Sequence, residues 1–220
     1  MIVKQKVRRN EQFPCSVRGC THNRAKLSPR CSTHEARRFA WGSPEHGRRW
    51  LVRELRPWEE VARDFVQANE SHPGITAAVE WFHERLEGAY RETGDRDARA
   101  ALAHRLRFMD DLGVSATECL VRALSVWLFA SSLPAQQATR EVRDTNTAAH
   151  VLRAVRGRAS GRTWARVRRI FGAEIAATCG FLFQRICDLR QEQFAQRGQI
   201  DRAVMSTPFV GQPASTDEVN

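Results

Sequence analysis

The chain has 220 residues, 42% of them hydrophobic and 27% charged, with a formal net charge of +10. That balance excludes a disordered or collagen-like chain, and the length is ample for a proper core, so a metal or disulfide is needed only locally. The charge is unevenly spread: residues 1–56 hold fourteen Lys or Arg against four Asp or Glu, and residues 57–220 sum to zero.

Residues 1–13 mix basic and apolar side chains, and the reading is a flexible or strand-like arm able to track phosphate. The stretch Cys15 to Pro44 carries the recognisable chemistry. Its spacing is Cys15-x4-Cys20-x10-Cys31-x2-His34, three thiols and an imidazole, the ligand set of a closed tetrahedral structural zinc site. Gly19, just before Cys20, lets the first pair sit on a turn. Pro29 stands just outside a helix expected from about Ser32 to Trp41, ended by Gly42 and Pro44. Cys31 and His34, three apart, share one face of its opening, where a thiolate also gains from the helix dipole. His22 is the rival fourth ligand; the Cys-x2-His pair has the better geometry.

Together with Arg37, Gly42 and Pro44 at three, eight and ten residues past His34, this pattern resembles the small zinc knuckle of bacteriophage and mobile-element proteins. The resemblance covers residues 15–44. It implies one structural Zn2+, a nucleic-acid partner with DNA foremost, and a bacterial or phage setting. In that group an HNH endonuclease core often follows. No such constellation is found downstream, and Glu35 stands where an aromatic residue usually follows the helix histidine, so nuclease activity is not implied.

After the knuckle, GSPEHGRRWLVRELR turns and starts a helix in which Arg49, Arg53 and Arg56 fall at helical spacing, with Arg48 beside them. Trp41 and Trp50 are expected to pack the knuckle onto a helical body. Helices follow over Glu59–Glu70, Ile75–Thr93 and Asp95–Leu112, with breaks at 71–74, Gly94 and Gly113. Ser115 and Glu118 form a capping-box signature for the next, which runs to about Leu133. It is apolar around most of its circumference and reads as the central core helix. Another helix lies within Thr145–Val155.

A second basic run lies between Asp144 and Glu174, free of acids and containing Arg158, Arg162, Arg166 and Arg169. The last helix spans about Arg162 to Arg197. Ile175, Cys179, Leu182, Ile186 and Leu189 form a short heptad seam within it, suited to a core contact or a homodimer. The tail, rich in Pro, Ser, Thr and Gly, reads as disordered.

Residues 1–44 are thus taken as basic arm and zinc knuckle, 45–204 as an α-helical domain and 205–220 as a tail. The fold class is mainly α: a small N-terminal zinc knuckle attached to an α-helical bundle. No secretory signal or apolar run long enough to span a bilayer is read, which leads to the expectation of a cytoplasmic protein without a membrane partner. Reduced thiols suit zinc there, and Cys119, Cys179 and Cys187 read as core side chains. Glu80 and His83 lack the second copy a di-iron bundle needs, and neither a phosphate loop nor a nucleophile elbow is present. The functional reading is a non-catalytic, zinc-binding nucleic-acid-binding protein. Phosphate contacts are assigned to Arg37, Arg38, Arg48, Arg49, Arg53, Arg158, Arg162, Arg166 and Arg169. A protein–protein adaptor using the knuckle and the last helix is the alternative, and a nuclease whose site is assembled from distant helices is the third reading.

Overall fold

The computed structural model describes residues 2–89, 98–154 and 161–206, so Arg158, most of the predicted loop at 156–161 and the tail beyond Ser206 lie outside the described residues. Among the described residues there are eight α-helices and no strand, a mainly α fold as expected. They are α1 (Ile2–Asn10), α2 (Ser32–Trp41), α3 (Val52–Ala68), α4 (Pro73–Gly88), α5 (Ala98–Asp111), α6 (Ala116–Ser131), α7 (Arg140–Val151) and α8 (Gly161–Ser206); a 3-10 turn, Leu152–Ala154, follows α7.

The chain divides into two compact units, Met1–Gln184 and Arg185–Asn220. The first contains the cysteine-rich segment together with α1 to α7 and the beginning of α8. The second contains the remainder of α8, in which Arg185 and Glu192 are 3.9 Å apart.

α6 is the centre of the first unit, packed by α3, α4 and α7. Cys119 to Val121 and Ala123 to Leu128 are buried, so nearly its whole circumference is covered, as the sequence predicts. Among them Ser125 donates its hydroxyl to the Arg122 carbonyl at 2.8 Å, while the Trp127 indole N–H is buried without a hydrogen-bond partner among the described residues. Ser115 caps the helix, accepting the Glu118 N–H at 3.1 Å. Trp127 meets Phe183 edge to face at 5.5 Å between centroids, and Trp81 stacks on Phe171 at 6.4 Å, tying α6 and α4 to α8. By length and composition Gly161–Gln193 could cross a membrane. Within the first unit, however, its Ala165, Val167, Phe171, Ile175, Cys179 and Phe183 are all buried.

Three expectations are corrected. The N-terminal arm is a helix: Lys, Gln and Arg are good helix formers, and Val3 and Val7 are four apart on one face. Its end is fixed by Asn10, whose amide donates to the carbonyls of Lys26 at 2.9 Å and Ser28 at 2.8 Å. The helix expected in the stretch ending at Arg56 and the one expected from Glu59 are a single helix, α3, with Pro57 inside it. Pro57 is solvent-exposed and forfeits one backbone bond, while Leu55, Glu59, Ala62 and Val66 are buried on the opposite side. Finally, Arg49 precedes α3 and does not share a helix face with Arg53 and Arg56.

The tryptophans do pack. Trp50 is buried against Leu55, Val126, Ala130 and Val142. Trp41 lies under the Arg168 guanidinium, 4.3 Å from its ring centre.

Candidate metal centre and basic surface

The cysteine-rich segment folds around short backbone pairings. Cys15 N–H bonds to His22 O at 2.9 Å and Arg24 N–H to Phe13 O at 3.0 Å, which brings residues 13–15 and 22–24 together antiparallel. Between them Cys20 N–H closes a turn onto Val17 O at 3.1 Å, with Gly19 at φ 77 in its third position. Arg18 does not have positive φ, so the turn is of the type II class and needs glycine there. Ser16 N–H to Pro29 O and Ala25 N–H to Arg30 O then fold the second half of the segment back on the first.

α2 occupies the predicted span and stops at Gly42, φ 83, whose N–H bonds to Arg38 O. A Cβ on Gly42 would come within 2.7 Å of the Glu141 side chain, so this glycine also allows the helix end to meet α7 closely.

This folding brings Cys15, Cys20, Cys31 and His34 together, with one ligand atom from each lying within 4.8 Å of every other. The Cys20 and Cys31 sulfurs are 3.9 Å apart, and His34 Nδ1 is 3.5 Å from Cys15 Sγ and 3.3 Å from Cys31 Sγ. With Zn–S bonds of about 2.3 Å and a Zn–N bond of about 2.0–2.1 Å, a tetrahedron has S···S edges of about 3.8 Å and S···N edges of about 3.6 Å. Three of the six edges thus match those lengths and all lie within 4.8 Å, so three sulfurs and one nitrogen are grouped closely enough to hold one metal ion. All six cysteines are free thiols. His22 stays outside the cage: its Nδ1 is 3.8 Å from Cys20 Sγ alone, and its carbonyl is used by Cys15.

Cys31 is the N-cap of α2, so its thiol and His34 share the opening turn. Cys31 N–H points at Cys15 Sγ, 3.3 Å away. Burial opposes ionisation of Cys15, but it is outweighed by the backbone N–H groups of Val17 and Cys31 and by the His34 and Cys20 side chains. The thiol is lowered from 9.0 to about 6. For Cys20 the His22 backbone favours the thiolate, yet burial and the Cys15 and Cys31 sulfurs push its pKa up. A metal ion would resolve this competition by letting all three sulfurs ionise. Cys15 and Cys31 are buried and Cys20 half-buried, a closed site suited to structure rather than catalysis.

The predicted arginines fall into two groups. Arg38 is paired with Glu35 at 2.6 Å, and Arg48 grips Glu54 with both guanidinium nitrogens, at 2.8 and 2.9 Å. Arg37 donates to the carbonyls of Pro44 and Glu45. Arg169 donates to Phe39 O at 2.9 Å, and its neighbour Arg168 to Ala40 O at 3.2 Å, which places two cations of α8 on the unpaired carbonyls ending α2. Arg49, Arg53, Arg162 and Arg166 are exposed and in no ion pair among the described residues. The same holds for Lys4, Lys6, Arg8 and Arg9 on α1, individual cations that the sequence reading did not single out.

A buried polar cluster also went unread, because its members are some ninety positions apart in sequence. Glu59 on α3 accepts from His150 Nε2 at 2.6 Å and from both terminal nitrogens of Arg153. Since a carboxylate can only accept, Nε2 carries the hydrogen. Glu118 joins Arg63, Arg122 and Arg153 beside it. His150 is thus a bonded core histidine.

No protein-family model matches the chain, and no curated protein or solved structure matches it.

Proposed function

We propose that this is a zinc-stabilised, non-catalytic nucleic-acid-binding protein, with DNA the foremost partner. Zinc would join residues 13–41 into one rigid element, since a segment this small gains its folding energy from the metal. The observation that carries the reading is how the cations are sorted. Acidic partners neutralise Arg38 and Arg48, whereas α1 and Arg49, Arg53, Arg162 and Arg166 keep exposed charges. Such charges attract a phosphate backbone without choosing a sequence. The knuckle resemblance supports a bacterial or phage mobile element as the setting and the cytoplasm as the compartment.

The test is a salt series of binding to labelled duplex and single-stranded DNA and RNA, using zinc-loaded protein. Each cation that meets a phosphate contributes about 0.9 to the slope of log K against log salt on a duplex and about 0.7 on a single strand. Alanine at Arg162 or Arg166 is expected to lower the slope, and alanine at Arg48 to leave it nearly unchanged. No binding at low salt overturns the reading.

A further inference from the structure

A cleft of about 740 Å³ opens between the knuckle loop, α2 and the first turn of α8. Its volume falls within the range of about 300–1,000 Å³ usual for ligand sites. The floor is apolar, made by Ala25, Ala36, Phe39 and Ala40. Lys26 and Arg162 stand on its edges, both exposed, one from the knuckle and one from α8. Ser32, exposed at the start of α2, supplies a hydroxyl.

Glu35 is the one carboxylate in the wall, and it is already neutralised. It accepts from Arg38, from Ser28 at 2.9 Å and from Arg30 at 3.5 Å. A phosphate at the cleft would therefore meet cations without a competing free acid. Phe39 is also fixed in place: the Arg169 guanidinium lies 4.5 Å from its ring centre and bonds its carbonyl.

An apolar floor between two cations fits a planar apolar group that carries anionic groups on either side. A duplex cannot offer one, because its base faces are stacked and only phosphates and base edges are presented. An unpaired strand can, and sequence-tolerant binding of single strands uses this pairing of apolar or aromatic surface with a basic track. We propose that the cleft takes one unstacked base of a single-stranded nucleic acid, with Lys26 and Arg162 on its flanking phosphates. The proposal rests on the nucleic-acid reading above and narrows it to a strand class. α1 extends the basic track, since Asn10 fixes its end to the backbone of Lys26.

The experiment uses zinc-loaded full-length protein, a labelled single-stranded oligonucleotide with one 2-aminopurine, and the corresponding duplex. Wild type is expected to bind the single strand more tightly and to change 2-aminopurine fluorescence. Ala36→Trp places a bulky ring in the cleft from an exposed position on α2. It is expected to weaken single-strand binding about ten-fold, the scale of one lost base stack, and to leave duplex binding within two-fold. Zinc content and circular dichroism report whether the variant folds. If it does not, the double variant Lys26→Glu with Arg162→Glu decides: loss of the fluorescence change supports the site, and an unaltered change overturns it. Equal weakening of both substrates by Ala36→Trp, or no weakening of either, also overturns the cleft. Duplex binding with no single-strand preference overturns the cleft while sparing the nucleic-acid reading; absence of all binding overturns both.

Discussion

Asn146 on α7 holds the backbone of Trp50 from across the first unit: its side-chain oxygen accepts the Trp50 N–H at 2.8 Å, ninety-six positions away. Its amide nitrogen donates to Arg48 O at 3.0 Å and Val142 O at 2.9 Å, so one buried side chain fastens the strand-like link between the knuckle and α3. Replacement by alanine strands a buried donor, which costs about 1–3 kcal/mol. Asn146→Ala should therefore lose roughly 2 kcal/mol in urea unfolding, by the same reasoning. Asn146→Asp keeps the acceptor for Trp50 but turns a carboxylate oxygen towards the Arg48 and Val142 carbonyls and buries a charge, and should be at least as destabilising as alanine. A wild-type midpoint for Asn146→Ala would refute this role.

Gly172 sets the distance between α7 and α8. A Cβ there would lie 2.1 Å from the Asp144 carbonyl oxygen, a backbone atom that cannot swing aside. Gly172→Ala should destabilise the first unit by about 1–3 kcal/mol, the scale of overpacking. Gly88, at the end of α4, has nothing within 4 Å of such a Cβ, and Gly88→Ala should be neutral or slightly stabilising. Thermal unfolding of the two variants side by side checks the contrast.

These two contacts also show what a sequence makes legible. Local rules located α2 from Cys31 and Gly42, and the N-cap of α6 from Ser115, because caps and positive φ are decided within a few residues. The convergence of Cys15, Cys20, Cys31 and His34 was readable for the same reason. The two helices expected before and after Pro57 are one because burial of Leu55 and Ala62 outweighs one lost hydrogen bond, a balance made by distant elements. The employment of Arg169 on Phe39 O, or of Glu59 with His150, depends on packing between segments far apart in sequence. Composition marks such residues as charged or polar, and only the fold shows which of them are already partnered.

At the metal cage, His34 and His22 should separate cleanly. His34 Nδ1 faces two sulfurs, whereas His22 approaches Cys20 alone. His34→Asn should lower zinc affinity at least ten-fold, with His22→Asn staying within two-fold, measured by competition with a chromogenic chelator. Cys31→Ser should lose zinc and loosen residues 15–44 while the helical bundle stays folded, as followed by amide exchange. Collapse of the whole chain would show that the bundle depends on the knuckle.

Acid should weaken the bundle through the Glu59–His150–Arg153 cluster, in two overlapping stages. Burial lowers the His150 pKa below 6.5 in spite of its bond to Glu59. Below pH 6.5 the unfolded chain therefore takes up a proton that the folded chain resists, and stability falls as pH falls. Burial would raise Glu59, but the His150 and Arg153 bonds outweigh it and hold the carboxyl at about 2 against an ordinary 4.5. Between 4.5 and 2 the unfolded state again binds the extra proton, which removes up to about 3 kcal/mol in the same direction. Glu35 adds a smaller loss in that window because solvent screens it. The Cys15 thiol belongs mostly to a higher range: its contribution is complete above pH 9 and is lost as pH falls through about 6, so only its lower end overlaps the start of the His150 limb. Urea unfolding of chelated protein from pH 7 to 3 should show a continuous decline. His150→Gln should flatten the portion starting near pH 6.5, and Glu59→Gln the portion below 4.5, the latter at the expense of stability at neutral pH because Arg153 loses the nearer of its two carboxylates. A flat profile between pH 7 and 4 in the wild-type chain would mean that the cluster is not held in this protonation state.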